Sequence, residues 1–196
     1  MIGMLRMVVV LSVLCGLSGF VLSYLKMVTA PRIEEQVLAC VQGPALARVF
    51  AHVQNSPIAD RRAFALEHGS VTVFPALRDG RLVGVALEER GKGYGGDIGV
   101  MVGFNVADDS LEGIGITTLK ETPGLGMRVT EQAFAGQFSG ARVPVALTAQ
   151  GGGIDGVSGA SISSAGVVAA VNKAAQVYSR IKPEILRAWP EGKGRF

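Results

Sequence analysis

The residues best placed to do chemistry lie in Asp155-Gly156-Val157-Ser158-Gly159-Ala160-Ser161-Ile162-Ser163-Ser164, between Gly151-Gly152-Gly153 and the apolar-periodic stretch Ala165 to Ile181. The period predicts a helix over Ala165–Ile181, so the four hydroxyls of Ser158, Ser161, Ser163 and Ser164 arrive at its N-terminus. Helix N-termini carry unpaired backbone N–H groups at the positive end of the helix dipole, and together these favour a bound phosphate. The plainer alternative is capping, in which a serine oxygen accepts from the N2 or N3 amide. A cap needs one hydroxyl and this stretch offers four, so both readings stand. No acid/base pair, Ser/His/Asp arrangement or Cys/His cluster accompanies them, which leaves hydrolysis without support and assigns no catalytic residue and no metal site. His52 and His68 are isolated and receive no role.

Two further stretches have unusual backbone requirements. Gly91-Lys92-Gly93-Tyr94-Gly95-Gly96 matches G-x-G-x-x-G, but a dinucleotide site needs a strand before it and a helix after it. Here strands are predicted on both sides, which rejects a Rossmann site. What remains is a flexible hairpin, or a loop whose backbone approaches something flat. Lys120-Glu121-Thr122-Pro123-Gly124-Leu125-Gly126 contains a Pro-Gly pair that predicts a type II turn with Gly124 at the positive-φ position.

The elements that must position these stretches are legible from periodicity. From Ser70 to Thr118 the period is two, giving four strands at Val71–Phe74, Leu82–Leu87, Ile98–Phe104 and Leu111–Thr118. Turn signals at Asp79-Gly80, Gly91–Gly96 and Asp108-Asp109 make this an antiparallel meander. A helix over about Val129–Phe138, a short strand at Val143–Leu147 and the C-terminal helix complete an α+β domain. Lys173, well into that last helix, reads as part of a solvated face.

The chain is unusually apolar for its 196 residues, at 48% hydrophobic with a mean hydropathy of +0.37, and the surplus is local. Met7 to Leu25 carries no charge. Roughly 19 residues at about 1.5 Å rise each span one bilayer core. A single transmembrane helix is predicted. A cleavable signal peptide is disfavoured because Pro31 would follow the cut at Val28-Thr29-Ala30. Arg6 on one flank and Lys26 and Arg32 on the other leave orientation undecided by charge. The small pairs Ser12/Gly16 and Cys15/Gly19 suit close approach of another helix. From Pro31 an amphipathic helix is expected through about Val53, interrupted near Gly43-Pro44, with Cys40 a buried small hydrophobe. The expected division is an anchor at 1–30, a helical connector at 31–60 and a domain at 61–196. The net charge of +3 comes from scattered basic residues without interleaved aromatics, which excludes a nucleic-acid surface. Lys26, Arg32, Lys193 and Arg195 suit membrane flanks.

Asp155-Gly156-Val157-Ser158-Gly159-Ala160-Ser161 resembles the flavinylation motif of the FMN-binding domains in Rnf-type and Na⁺-pumping NADH:quinone oxidoreductases. The resemblance implies that Ser161 is esterified to the phosphate of FMN by a flavin transferase. The family's acceptor is normally threonine, and serine offers the same nucleophile without the methyl that stiffens χ1. Glu121-Thr122-Pro123-Gly124-Leu125-Gly126 is similar to a signature of the Rnf G subunits that packs against the flavin, and the Gly-Tyr-Gly-Gly loop carrying Tyr94 matches the family too. By resemblance the FMN site therefore takes Ser158, Gly159, Ala160, Ser161 and Ser163 from the motif, Tyr94 from the loop, and Glu121, Thr122, Gly124, Leu125 and Gly126 from the turn. Asp155 is read as a turn residue bonding the backbone, or as a ligand for the transferase's metal during attachment.

With the anchor, these motifs follow the family's order over almost the whole chain. The resemblance implies a single-pass subunit of the plasma membrane with its domain on the outer side. It would carry electrons among the other membrane subunits of a complex coupling ferredoxin and NAD⁺ to ion movement, without catalysing a reaction alone. The alternatives are a non-redox assembly module and the FMN subunit of a Na⁺-translocating NADH:quinone reductase.

Overall fold

A computed structural model describes residues 2–50, 53–67 and 69–189. His52, His68, Lys193 and Arg195 lie outside the described residues. The chain forms two compact units, Met1–Cys40 and Val41–Phe196.

The first unit is essentially one helix, α1 (Ile2–Val37). Its stretch Gly3–Ala30 has a mean hydropathy of 2.3 and none of it is buried, so it is long and apolar enough to cross a membrane. Pro31 lies inside α1 instead of opening a new helix. Cys40 is an exposed free thiol, not a buried one, because a unit made of a single helix has no core to receive it.

A π-helical turn at Leu38–Gln42 leads into α2 (Gly43–Val49) with Pro44 in its first turn, where a missing N–H costs nothing. The expected interruption at Gly43-Pro44 is this junction, and the helix stops at Val49 instead of running to Val53. α2 buries Ala45, Leu46 and Val49 against strands of the sheet, so this part of the expected connector is packed into the domain.

The sheet has five antiparallel strands in chain order: β1 (Arg62–Leu66), β2 (Gly69–Arg78), β3 (Arg81–Lys92), β4 (Asp97–Asn105) and β5 (Leu111–Thr118). β1 is the strand the period missed. It is a short edge strand in which only Phe64 is buried, so it shows little alternation. Asp79 and Gly80 both take positive φ, 50° and 72°. That is the geometry of a two-residue hairpin, here between β2 and β3.

Beyond β5, the helix expected at Val129–Phe138 is three short pieces. These are a 3₁₀ turn at Gly126–Thr130, α3 (Gln132–Ala135) and a 3₁₀ turn at Gly136–Phe138. Each buries one anchor, Val129, Phe134 or Phe138, and Glu131 between the first two is extended. The strand expected at Val143–Leu147 is a single parallel bridge, Leu147 to Ile154. Asn172 takes a strand partner's place there. Its Oδ1 accepts from the Val145 amide at 2.9 Å and its Nδ2 donates to the Val145 carbonyl at 2.8 Å.

α4 (Ser161–Ala188) lies across β3 and β4 and buries Val167, Val171, Ala174, Ile181 and Ile185 in the main core. It runs past Pro183 because Ile185 beyond it is fully buried. The contact with β3 is backbone against backbone. A Cβ on Gly91 would sit 1.8 Å from the Gly166 carbonyl oxygen. Further along, Lys173 on α4 pairs with the mostly buried Glu89 side chain of β3 at 2.6 Å; Lys173 is exposed as expected, but it is an ion-pair partner.

The far end of α4 is locked by Tyr178, stacked on Phe104 at 4.5 Å, whose hydroxyl donates to Asp109 Oδ1 at 2.8 Å. Lys182 also donates to that oxygen. Partial burial alone would raise the Asp109 carboxyl, but the hydrogen bonds from Lys182 and Tyr178 outweigh it and hold it below the ordinary carboxylate range. Burial, followed by the bond to Asp109, pushes the Tyr178 phenol well above its usual range. The result is a helix held rigidly at one end, with its other end free to build a site.

Candidate functional site

α4 begins at Ser161, and Ala160 before it occupies the cap position with no side-chain cap bond, so the serines do not cap the helix. Each of the four hydroxyls has a different fate. Ser164 is buried and turned back, accepting from the Val157 amide at 3.0 Å and donating to the Ala160 carbonyl at 3.0 Å. Ser163 is buried and donates to Glu121 Oε2 at 3.0 Å. Ser158 and Ser161 are exposed, and neither hydroxyl makes a hydrogen bond among the described residues. Ser161 lines the cavity described below and Ser158 does not.

The backbone around Ser161 completes the arrangement. The Ser164 amide already bonds the Ala160 carbonyl at 2.9 Å, while those of Ser161, Ile162 and Ser163 have no partner among the described residues. Gly159 just upstream takes φ 80°, and a Cβ there would come within 2.8 Å of Leu125 Cδ1. Glycine is the residue that accepts both conditions. A free hydroxyl and three unpaired amides therefore meet at the positive end of a 28-residue helix.

The cavity beside them encloses about 520 Å³. That lies within the roughly 300–1,000 Å³ range of small-molecule sites. Its floor is Gly159, Ala160, Ser161, Ile162 and Ser163 from the motif and first turn of α4. Glu121, Thr122, Leu125 and Gly126 form a second wall, and Tyr94 a third. The second wall turns at Pro123-Gly124, where Leu125 N–H donates to the Thr122 carbonyl at 3.2 Å and Gly124 has φ 74°. A type II turn requires that positive φ. Tyr94, Leu125 and Ile162 all present exposed apolar surface.

Nine of the eleven expected site residues thus line one cavity. Ser158 and Gly124 do not: Ser158 faces solvent ahead of the Gly159 turn, and Gly124 sits at the tip of the turn, shaping the wall without facing inward. Ile162 was not expected; an apolar residue set among serines was its one signal in the sequence, and the structure leaves it 54% exposed at the helix start. Asp155 does not bond the backbone through its carboxylate, which is exposed and makes no hydrogen bond among the described residues. Gln137 does that work from outside. Its Oε1 accepts from the Asp155 amide at 2.7 Å and its Nε2 donates to the Asp155 carbonyl at 3.2 Å. Nothing in the local sequence marks Gln137 for this.

Among the described residues no group of His, Cys, Asp or Glu is arranged to hold a metal ion.

Comparison with known proteins bears on this geometry directly. Residues 93–176, from the Tyr94 loop through the first half of α4, match the FMN-binding domain family. The G subunit of an ion-translocating oxidoreductase complex from Cereibacter sphaeroides is 33% identical over 172 residues, covering 82% of this chain and 76% of that protein. The chain belongs to this family of G subunits. Within the family, the G subunit of the proton-translocating ferredoxin:NAD(+) oxidoreductase complex from Clostridium ljungdahlii is 26% identical over 171 residues, covering 85% of this chain and 86% of that one. Among solved structures, Shewanella oneidensis NqrC shares the fold, with a TM-score of 0.54 and 21% identity over 64% of this chain and 69% of that one. The α+β architecture read from the sequence is thus the fold both of this chain and of a structural neighbour.

Proposed function

We propose that this chain is the membrane-anchored flavoprotein subunit of an Rnf-type ion-translocating ferredoxin:NAD⁺ oxidoreductase, carrying electrons between other subunits and catalysing no reaction alone. The observation that supports it most is the sorting of the serines, since Ser161 alone of the four offers a free hydroxyl in this cavity, beside three unpaired amides.

The residues fit FMN. The cavity has the right scale, its three unpaired amides suit a phosphate, and its exposed apolar walls at Tyr94, Leu125 and Ile162 suit a flat ring. When bound, FMN supplies one- or two-electron transfer, and the protein supplies attachment, orientation and electrostatics. Ser161 Oγ is the proposed attachment point: the transferase would form the Oγ–P bond as the serine proton and an oxygen substituent on that phosphorus leave, together one water relative to free FMN. Esterification there would leave a monoanionic diester, which the amides of Ser161, Ile162 and Ser163 would be placed to hold in the field of the α4 dipole. Covalent attachment also keeps a cofactor that would otherwise dilute away outside the cell. Ser158, Gly159 and Ala160 shape the approach to Ser161, and Gly124 sets the turn that presents Leu125. The exposed carboxylate of Asp155 is available to a flavin transferase, whose metal it would ligate during attachment.

By this reading α1 anchors the chain in the plasma membrane with the domain on the outer side, and the partners are the other membrane subunits of the complex. Expression of the full chain with a flavin transferase tests it. The denatured protein is expected to fluoresce in-gel and to gain the mass of one FMN less water, with both lost in Ser161→Ala. Wild-type protein that carries no flavin, bound or covalent, would favour the assembly-module alternative. Flavin that leaves on denaturation would make Ser161 a contact only. A phosphatase fused at the C-terminus should be active only if the domain is external.

A further inference from the structure

Glu121 is 9% exposed, at the cavity wall, and each of its carboxylate oxygens has one donor. Oε1 accepts from the Gly95 amide at 3.1 Å and Oε2 from the Ser163 hydroxyl at 3.0 Å. These partners lie 26 and 42 residues away in the chain, one in the Tyr94 loop and one in the first turn of α4. The loops are built closely around it. A Cβ on Gly93 would fall 2.2 Å from Oε1, and one on Gly126 2.5 Å from Oε2.

No Lys or Arg pairs with this carboxylate among the described residues. Burying a carboxylate without a counter-ion is expensive, and two hydrogen bonds offset only part of the cost. A neutral amide of the same size would tie the same segments together: its oxygen could accept from Gly95 and its N–H could donate to Ser163 Oγ. The charge is therefore not needed to make these two contacts, although it strengthens them and sits favourably at the positive end of α4. What it adds is a fixed negative potential at the face of the cavity, strengthened by the low local dielectric.

We propose that Glu121 is a positioning residue with two effects. It latches the Tyr94 loop to the start of α4, and it places a negative charge that no Lys or Arg neutralises among the described residues beside a redox-active ring in the cavity, making that ring harder to reduce. The second effect rests on the FMN reading above; the first does not.

The test uses full-length protein in detergent with Glu121→Gln and Glu121→Ala. Without flavin, amide hydrogen exchange at Gly95 is expected to accelerate roughly tenfold or more in Glu121→Ala, as the loss of a hydrogen bond to a charged group implies, and to accelerate by clearly less in Glu121→Gln, which keeps a neutral acceptor. Unchanged Gly95 exchange in Glu121→Ala overturns the latch. Should Glu121→Ala not fold, Glu121→Asp replaces it, since its shorter side chain cannot reach both donors and the same acceleration is expected. In flavin-loaded protein, Glu121→Gln is expected to keep the wild-type flavin content while its midpoint potential moves to a more positive value. A midpoint equal to wild type at equal loading overturns the charge effect, and lost loading in Glu121→Gln overturns the claim that an amide serves as the latch. Wild-type protein that never loads flavin overturns the FMN reading and the charge effect with it, while Gly95 exchange still decides the latch.

Discussion

Substituting Gly91 by alanine tests whether the seat of α4 on β3 holds the site in place. The new Cβ would lie 1.8 Å from the Gly166 carbonyl oxygen, 2.7 Å from its carbon and 3.2 Å from the Ala170 nitrogen, all backbone atoms of α4. Ordinary contact begins near 3.4 Å. The helix must therefore retreat by roughly 1.6 Å to restore van der Waals separation, because no side chain can swing aside to absorb the clash. That retreat opens the layer in which Val167, Val171 and Ala174 are fully buried. Overpacking costs typically about 1–3 kcal/mol, and a backbone-to-backbone clash belongs at the upper end. For a domain of this size about 3 kcal/mol lowers Tm by on the order of 6–12 °C.

Trp189 reports the transition. It is the single tryptophan, it packs against Phe64 with ring centroids 5.9 Å apart, and the Arg62 guanidinium lies 4.9 Å from its ring. Thermal unfolding of the full chain followed by its fluorescence measures the loss. Flavin attachment should fall in parallel, because Ser161 rides on the displaced helix. Gly113→Ala is the control, since its Cβ meets nothing nearer than 3.9 Å. Its Tm should stay within about 1 °C of wild type. Gly91→Ala protein that melts with wild type and loads flavin normally would refute the role given to this seat.

Gln137→Ala removes both bonds that pin Asp155. It is expected to reduce the rate of flavin attachment severalfold, measured by time-resolved in-gel fluorescence, and to lower stability by about 1–2 kcal/mol, measured by melting. Gly124→Ala puts a side chain at φ 74°. It should cost about 1–2 kcal/mol by denaturant titration, with the turn displaced where it presents Leu125. Tyr178→Phe keeps the stack on Phe104 but loses the bond to Asp109, for about 1 kcal/mol by the same titration. The folded-state pKa of Asp109 is lowered, so its contribution is present above the ordinary carboxylate value near 3.8 and is lost as pH falls through the lowered folded value. Acid unfolding of Asp109→Asn should therefore be flatter than wild type over that window.

Local physics made much of this protein legible in its amino-acid order. The charge-free run from Met7 to Leu25 requires an apolar environment whatever else the chain does, and the same run lies within α1. Period-two alternation located four of the five strands, and Pro123-Gly124 dictated its own turn, because these preferences act between residues a few positions apart. The serine motif announced a helix start for the same reason.

What depended on distant partners could only be decided by the fold. β1 is a strand because β2 pairs with it, not because Arg62–Leu66 alternates. The strand expected at Val143–Leu147 gave way to the side chain of Asn172, which satisfies the Val145 backbone from a helix 27 residues on. Four serines are equivalent in sequence, and only tertiary contacts make them unequal: Glu121 takes the hydroxyl of Ser163, the Val157–Ala160 turn takes that of Ser164, the Gly159 turn leaves Ser158 outside, and Ser161 remains free at the cavity. Hydrogen-bond partners at such separations are chosen by packing, which no local pattern encodes.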